Sequence, residues 1–265
     1  MNDLRLVACG MAAAAVLCVP AGADQARGGA AAGAPLSGRE IAERVDGRST
    51  GRDQRMTMDV VLIDASGGRR QRGLSFLRRT EAGHDQTVVS FTYPPDIQGT
   101  ALLVLEQPRT RGEWFLYLPA IGRSRRIASA ERHDRFAGTD FSYEDIAGSP
   151  LDDFEYVFLH EEPVDDRAAL VIEARPVEPS FYERQIRWVD RERSIVVRAE
   201  YYRQGEVAKR YRATAAARTD GIWTMRRLEM DDLRARHKTI IDVTDVKYNV
   251  GLDPQQFTRR ALERR

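Results

Sequence analysis

Beyond residue 18 the chain contains no cysteine; Cys9 and Cys18 are the two it has, and both lie near its start. The rest of the protein therefore has neither a disulfide framework nor thiol chemistry, which suits an oxidising compartment without requiring one. A charge excess of one sign is also missing. The 41 basic and 40 acidic residues leave a formal charge of +1, and that balance argues against nucleic acid as a partner. The basic residues are overwhelmingly arginine and alternate with acids, the pattern of a salt-bridged surface. Long apolar runs are scarce. Leu6–Val19 is about 14 residues, against the ~20 that a spanning helix needs. No period of 20 to 50 residues repeats, which excludes a propeller or a solenoid.

Catalytic signatures are missing as well. His84, His133, His160 and His237 are scattered, without HxH or HExxH spacing, so no zinc site is expected. Ser142 stands in no G-x-S-x-G context. Glu144 and Asp145 are sequence neighbours from which no glycosidase geometry can be read. Gly67-Gly68 fits a hairpin turn better than a phosphate-binding loop. The expectation is a protein that is not an enzyme and uses no cofactor or metal.

What is present begins with an export signal. Arg5 precedes the apolar run, Pro20 breaks it, and Ala21-Gly22-Ala23 places small residues where a signal peptidase reads. Residues 1–23 are thus read as a cleaved signal peptide; an uncleaved anchor is the alternative, disfavoured by the short run. Leu6-Val7-Ala8-Cys9 resembles a lipobox but comes before a full apolar stretch, and Ala15-Val16-Leu17-Cys18 is a poor match. Residues 24–36, rich in Gly and Ala, read as a flexible leader. Residues 37–265 can form one β domain with a substantial core.

In that domain, Ser37-Gly38-Arg39-Glu40 is a capping-box pattern opening a short helix from about Gly38 to Val45, which ends near Gly47. The period then changes to two. Met56, Met58, Val60 and Leu62 alternate with polar residues, and a turn at residues 65–68 leads to a strand carrying Leu74 and Phe76. Further strands follow at 86–93, 100–107, 113–119, 124–128, 154–160, 169–175, 183–190, 194–204, 208–218, 222–230 and 237–250, the one at 124–128 basic, separated by Gly-, Pro- and Asp-containing turns. Strands in unbroken succession imply an antiparallel meander. About eleven or twelve strands in one sheet curl under their own twist, giving a mainly β, strongly curved sheet that is a half-barrel or a closed one.

Several strands are apolar on both faces: Val88 with Phe91, Ala101 through Leu105, and Trp114 through Leu118. A one-sided antiparallel sheet alternates more cleanly, so something covers the concave side. Either an apolar lining holds hydrocarbon, or the sheet is filled by its own helices and loops as an ordinary packed core.

The segment RFAGTDFSYEDIAG, residues 135–148, has neither a strand period nor a helix period, yet it holds three aromatics. It ends the longer stretch WFLYLPAIGRSRRIASAERHDRFAGTDFSYEDIAG, which resembles the signature of the LolA-like outer-membrane lipoprotein-sorting family. Asp140, Phe141, Tyr143, Glu144 and Asp145 stand where that family has these types or close equivalents. MTMDVVLIDASGGRRQRGLSF, PPDIQGTALLVLE and TDVKYNVGLDPQQFTRRALER match as well, so the resemblance spans about Ile41 to Arg264. Ala137 departs from it, because other members commonly carry a larger residue there.

The resemblance implies an unclosed barrel with short helices and loops as a lid over an apolar cavity. It implies a periplasmic carrier of lipid or of lipoprotein acyl chains in transient contact with membranes. Many members of this branch resemble accessory proteins of RND-type (MMPL-like) exporters, so a lipid-free adaptor of such an exporter is the alternative.

The lining expected for the cavity and its lid is Met58, Val60, Leu74, Phe76, Phe91, Leu103, Trp114, Leu116, Phe136, Phe141, Tyr143 and Ile146. Pro119, Arg125, Arg126, Gly138, Asp140 and Asp145 are the motif positions of structural weight. Phe136, Phe141 and Tyr143 are expected to turn inward while the carboxylates stay wet, with hinges at Gly138 and Gly148. Asp140 caps the following turn or pairs with Arg125 or Arg126; the aromatics alternatively plug the sheet with no ligand at all. The cluster Arg123-Ser124-Arg125-Arg126 meets lipid headgroups or an acidic partner, or is a solvated strand. Asp253-Pro254 starts a short terminal helix or strap anchored by Phe257 and Leu262.

Overall fold

The computed structural model describes residues 36–107 and 110–264; the signal peptide and the leader up to residue 35 lie outside the described residues. Helix α1, Gly38–Asp46, opens the domain. Its capping box is formed: the Glu40 N–H donates to Ser37 Oγ at 3.2 Å, and the Ser37 N–H donates to Glu40 Oε2 at 2.7 Å. Six strands follow: β1 Asp53–Ile63, β2 Arg69–Glu81, β3 His84–Tyr93, β4 Ala101–Gln107, β5 Thr110–Leu118 and β6 Arg123–Arg126. A segment over residues 127–153 contains the short helix α2, Tyr143–Ala147. Then come β7 Phe154–Val164, β8 Arg167–Pro176, β9 Arg184–Asp190, β10 Ile195–Arg203, β11 Glu206–Thr219, β12 Ile222–Asp232 and β13 His237–Tyr248. Helix α3, Arg259–Leu262, follows a 3-10 turn over Pro254–Phe257.

All strands belong to one antiparallel sheet, in the order β6-β5-β4-β3-β2-β1-β13-β12-β11-β10-β9-β8-β7. The sheet has thirteen strands where about eleven were expected, because each strand-like run between residues 53 and 250 forms one. Its ends, β6 and β7, do not pair, so the barrel is unclosed. The chain walks outward from β1 to one edge, crosses through residues 127–153 to the opposite edge, and walks back until β13 pairs with β1. Antiparallel succession gives the sheet two distinct ends. The β1–β2, β3–β4, β5–β6, β8–β9, β10–β11 and β12–β13 connections lie at one end, here called the rim; the other is the base.

Alternation in β1 sets the faces. Met58, Val60 and Leu62 point into the concave cluster, and register carries that face to Val243 and Ile241 on β13 and to Leu74 on β2. The two-faced strands have two covers. On β4, Leu102 and Val104 face the concave cluster, whereas Ala101 and Leu103 face the convex side. There the C-terminal segment lays Leu252, Phe257 and Leu262 over them and over Phe115 and Tyr117. Arg259 Nε ties this strap to Ser124 Oγ at 2.7 Å. At the other edge, α1 presses Ile41 and Ala42 onto Leu170, Ile172 and Val189.

Candidate functional site, a lidded trough on the concave face

Residues 127–153 cross the concave face as a lid. Ala137 at φ +46° and Gly138 at φ +79° stand in succession with left-handed backbone, which turns the chain sharply back on itself. The Phe136 N–H donates to the Phe141 carbonyl at 2.9 Å and closes the small loop. Ser142 then caps α2: the Asp145 N–H donates to Ser142 Oγ at 3.1 Å, and the Ser142 N–H donates to Asp145 Oδ2 at 2.8 Å. Gly148 at φ +78° ends the helix.

The loop turns its aromatics inward. Phe136 is 1% exposed and stacks on Phe91 of β3 with ring centroids 5.2 Å apart; Tyr143 is tilted against Phe136 at 5.8 Å. Met58, Val60, Leu74, Phe91, Trp114 and Leu116 from the sheet lie in one buried cluster with Phe136, Phe141 and Tyr143 from the lid, and Phe76 and Ile146 border it, partly buried. Leu103 is not among them. Its side chain lies on the convex face under the C-terminal strap, because β4 alternates and Leu102 takes the inward position. Pro119 opens the turn after β5, and its Cγ abuts Gly99 in the β3–β4 connection.

A polar latch holds the lid to the returning strands. Asp140 is fully buried rather than wet, and it pairs with neither Arg125 nor Arg126. Its carboxylate lies 2.6 Å from His237 Nδ1, accepts from Thr239 Oγ1 at 2.8 Å and faces Arg135 at 3.2 Å. Its own N–H donates to Thr239 Oγ1 at 2.8 Å, and its carbonyl accepts from Lys209 Nζ at 2.7 Å. Arg135 extends the network to Asp232 at 2.6 Å. Arg125 instead pairs with Glu131, and Arg126 with Glu113. Lone pairs of a buried carboxylate need such partners, and here they come from β13, about a hundred positions along the chain, and from Arg135 within the lid. The one signal in the sequence was the parity of HKTIIDVTDV, which puts His237 and Thr239 on the face of Ile241 and Val243.

The lid does not fill the whole trough. Tyr201, Tyr211, Leu228, Met56 and Phe76 border the cluster and keep part of their surface open. Burial pushes the Tyr201 and Tyr211 hydroxyls up. Arg48, which follows α1, is lowered by the same desolvation. Nearer the base, between the end of the lid and the sheet, lies a cleft of about 760 Å³, lined by Val104, Trp114, Arg78, Glu106, Glu144 and Ala147 among others. Burial raises the Glu106 carboxyl despite the hydrogen bond it accepts from the Asp85 N–H at 2.9 Å. The cleft has the size of a ligand site, with a charged mouth and an apolar floor.

A family model whose description reads "-like: Uncharacterized protein" matches residues 83–264. Among solved structures, the chain is similar to a domain from Vibrio parahaemolyticus ascribed to outer membrane lipoprotein sorting. The TM-score is 0.80 at 26% identity, covering 85% of this chain and 98% of that one. A DUF1329 family protein from Desulfovibrio piger gives a TM-score of 0.80 at 27% identity, covering 85% and 97%. A LolA superfamily protein from Nitrosomonas europaea has the same fold at a TM-score of 0.68 and 19% identity, covering 86% and 100%. No curated protein matches the chain.

Proposed function

The chain belongs to the LolA-like outer-membrane lipoprotein-sorting family, and from that premise we propose that it is a periplasmic carrier that takes a lipid, or the acyl chains of a lipoprotein, into its trough and moves it between the inner and outer membranes. It performs no chemistry on its cargo. The apolar run Leu6–Val19 and the small residues after it support export.

The observation that carries this reading is the origin of the plug. The floor of the trough is strand, but the ring packed on it, Phe136 against Phe91, belongs to a lid whose middle is tied to the returning strands by the Asp140 network and whose start is tied to β5 by the Ile127 N–H donating to the Trp114 carbonyl at 2.8 Å. A hydrocarbon chain that replaces Phe136 buries roughly 0.8 kcal/mol per CH₂. It thereby offsets the burial that Phe136 gives up when the lid lifts. What remains is chiefly the latch, whose hydrogen bonds involve charged groups and are worth about 1.5–3 kcal/mol each net. Loading is then an exchange of one apolar occupant for another.

The test is native mass spectrometry of protein recovered from the periplasm, followed by lipid extraction. An acyl lipid should co-purify with the parent protein and be lost from Phe76→Glu, whose side chain borders the trough, with the circular dichroism spectrum unchanged. A parent protein that carries no lipid and takes up no fluorescent fatty acid overturns the reading. If such a protein is captured by an inner-membrane RND-type exporter, it is an adaptor instead.

A further inference from the structure

Exposed apolar side chains are unevenly distributed between the two ends of the sheet. Among the described residues at strand ends and connections, Tyr93, Ile121, Val177, Phe181 and Leu233 lie at the rim and Val250 lies at the base. On the first half of the sheet the rim also gathers cations. Arg69, Arg70 and Arg72 begin β2, and together with Tyr93, Pro94 and Asp96 they line an open cleft of about 460 Å³. The Gly99–Pro119 approach brings the β5–β6 turn alongside, carrying Ile121 and then Arg123.

These arginines differ from the others on the same strands. Arg78, Arg79, Arg125 and Arg126 each reach a carboxylate. Among the described residues, Arg69, Arg70, Arg72 and Arg123 form no ion pair. Arg72 lies over the Phe91 ring at 5.5 Å, with its Nε and Nη1 buried and unbonded. The nearby acids do not cancel the group. Asp64 is turned into its own β1–β2 turn by Ser66 and the Gly68 N–H, and Asp64 and Asp96 together are two charges against four. Tyr93 and Ile121, 55% and 56% exposed, project from the adjoining connections.

We propose that this corner of the rim, built from the β1–β2, β3–β4 and β5–β6 connections, docks on the surface of an anionic phospholipid bilayer. The exposed guanidiniums of Arg69, Arg70 and Arg123 meet headgroup phosphates, and Tyr93 and Ile121 enter the interfacial layer. Unpaired cations beside an exposed aromatic and an exposed aliphatic side chain match the two attractions such a surface offers, negative potential and an apolar boundary. Arginine suits phosphate because its donors are forked and bidentate. The proposal goes beyond cargo binding, since the trough and this corner share no lining residue and can be altered separately.

The test is co-sedimentation of the exported protein with vesicles of phosphatidylcholine alone and of phosphatidylcholine mixed with phosphatidylglycerol. Binding is expected only to the mixed vesicles and is lost at high salt. The combined variant Arg69→Gln/Arg70→Gln/Arg123→Gln removes three exposed charges without touching the core, and it should weaken partitioning on the order of 100-fold at the usual strength of one such charge near an anionic surface. Tyr93→Ser should weaken binding to the same vesicles at unchanged salt dependence. Arg191→Gln/Arg212→Gln, which removes two ion-paired charges elsewhere, should bind as the parent does. Equal binding to neutral and anionic vesicles, or undiminished binding by the triple variant, overturns docking. Co-purified lipid, measured on the same samples, is expected to be unchanged in the rim variants. A rim variant that keeps its cargo and still binds vesicles therefore defeats docking and leaves the carrier reading intact. A parent protein that binds vesicles but holds no lipid does the reverse.

Discussion

Phe136 and Leu103 are both almost inaccessible, but they support different layers of the molecule. Removing the ring in Phe136→Ala leaves Phe91 facing a void, and losses of this kind cost about 3–5 kcal/mol. In denaturant titrations the loss is expected in full for lipid-free protein and should shrink when an acyl chain occupies the vacated space. Leu103→Ala should cost about 2–5 kcal/mol whether or not lipid is present, because its side chain meets the C-terminal strap and not the trough. An equal dependence of both variants on lipid would contradict this assignment of faces. The pair also marks what the sequence disclosed at this scale. Leu102-Leu103-Val104 is visibly apolar on both sides, but only the cross-strand register decides which parity is concave.

At the scale of elements, nearly every strand was legible as an apolar or alternating run bounded by turn residues, the basic β6 being the exception, and α1 by its capping box. The lid was legible as an anomaly, three aromatics without a period. Its anchorage was not, because Asp140 meets His237 and Thr239, about a hundred residues further on, only after the sheet has curled. That anchorage has a pH signature. Burial disfavours the charged form of Asp232, but the Ala235 N–H at 2.8 Å, Arg135 at 2.6 Å and the nearby Lys209 outweigh it and hold the carboxyl below its ordinary value of 3.8. A carboxyl depressed in the folded state stabilises the fold above its unfolded pKa, and the contribution fades as pH falls through the folded value. The melting temperature of Asp232→Asn should therefore lie below that of the parent at neutral pH. The gap should close below about pH 4. A gap that persists or widens in acid would show that Asp232 is not stabilised as an anion.

The C-terminal strap invites a second test on an element. Phe257 and Leu262 are buried over Leu77, Val88, Ala101, Leu103, Phe115 and Tyr117, so deleting residues 254–265 uncovers a contiguous apolar face. Patches of that kind drive association or dye binding. The truncated protein is expected to bind an apolar fluorescent dye and to precipitate at concentrations where the parent stays soluble, even though no residue of the trough is removed. A truncated protein as soluble and as dye-silent as the parent would mean that the strap adds nothing to the convex face.

At the scale of the whole molecule, the out-and-back path means that β1 waits for β13, nearly two hundred residues later, before the trough has a continuous wall. It also leaves two edges, and β7 is the long one, with eleven residues against four in β6. Unpaired edges recruit other strands unless they are guarded. On β7 the guards are Glu155, Glu161, Glu162 and Pro163, together with α1 lying across the concave side. The approach of α1 is set by Gly38: a Cβ there would sit 2.6 Å from the Val157 carbonyl carbon and 2.7 Å from the Phe158 nitrogen. These are backbone atoms that cannot move aside. In Gly38→Val the helix must therefore lift, carrying Ile41 off Leu170 and Ile172 and baring the β7 edge. Light scattering coupled to size exclusion should show concentration-dependent association of Gly38→Val beyond that of the parent, with a lower melting temperature. Gly67→Ala is the contrast, since its Cβ meets nothing within 4 Å and only its φ of +86° is strained. It should lose about 1 kcal/mol and associate no more than the parent. If both glycine variants associate alike, strain rather than the uncovered edge is the cause, and α1 has no guarding role.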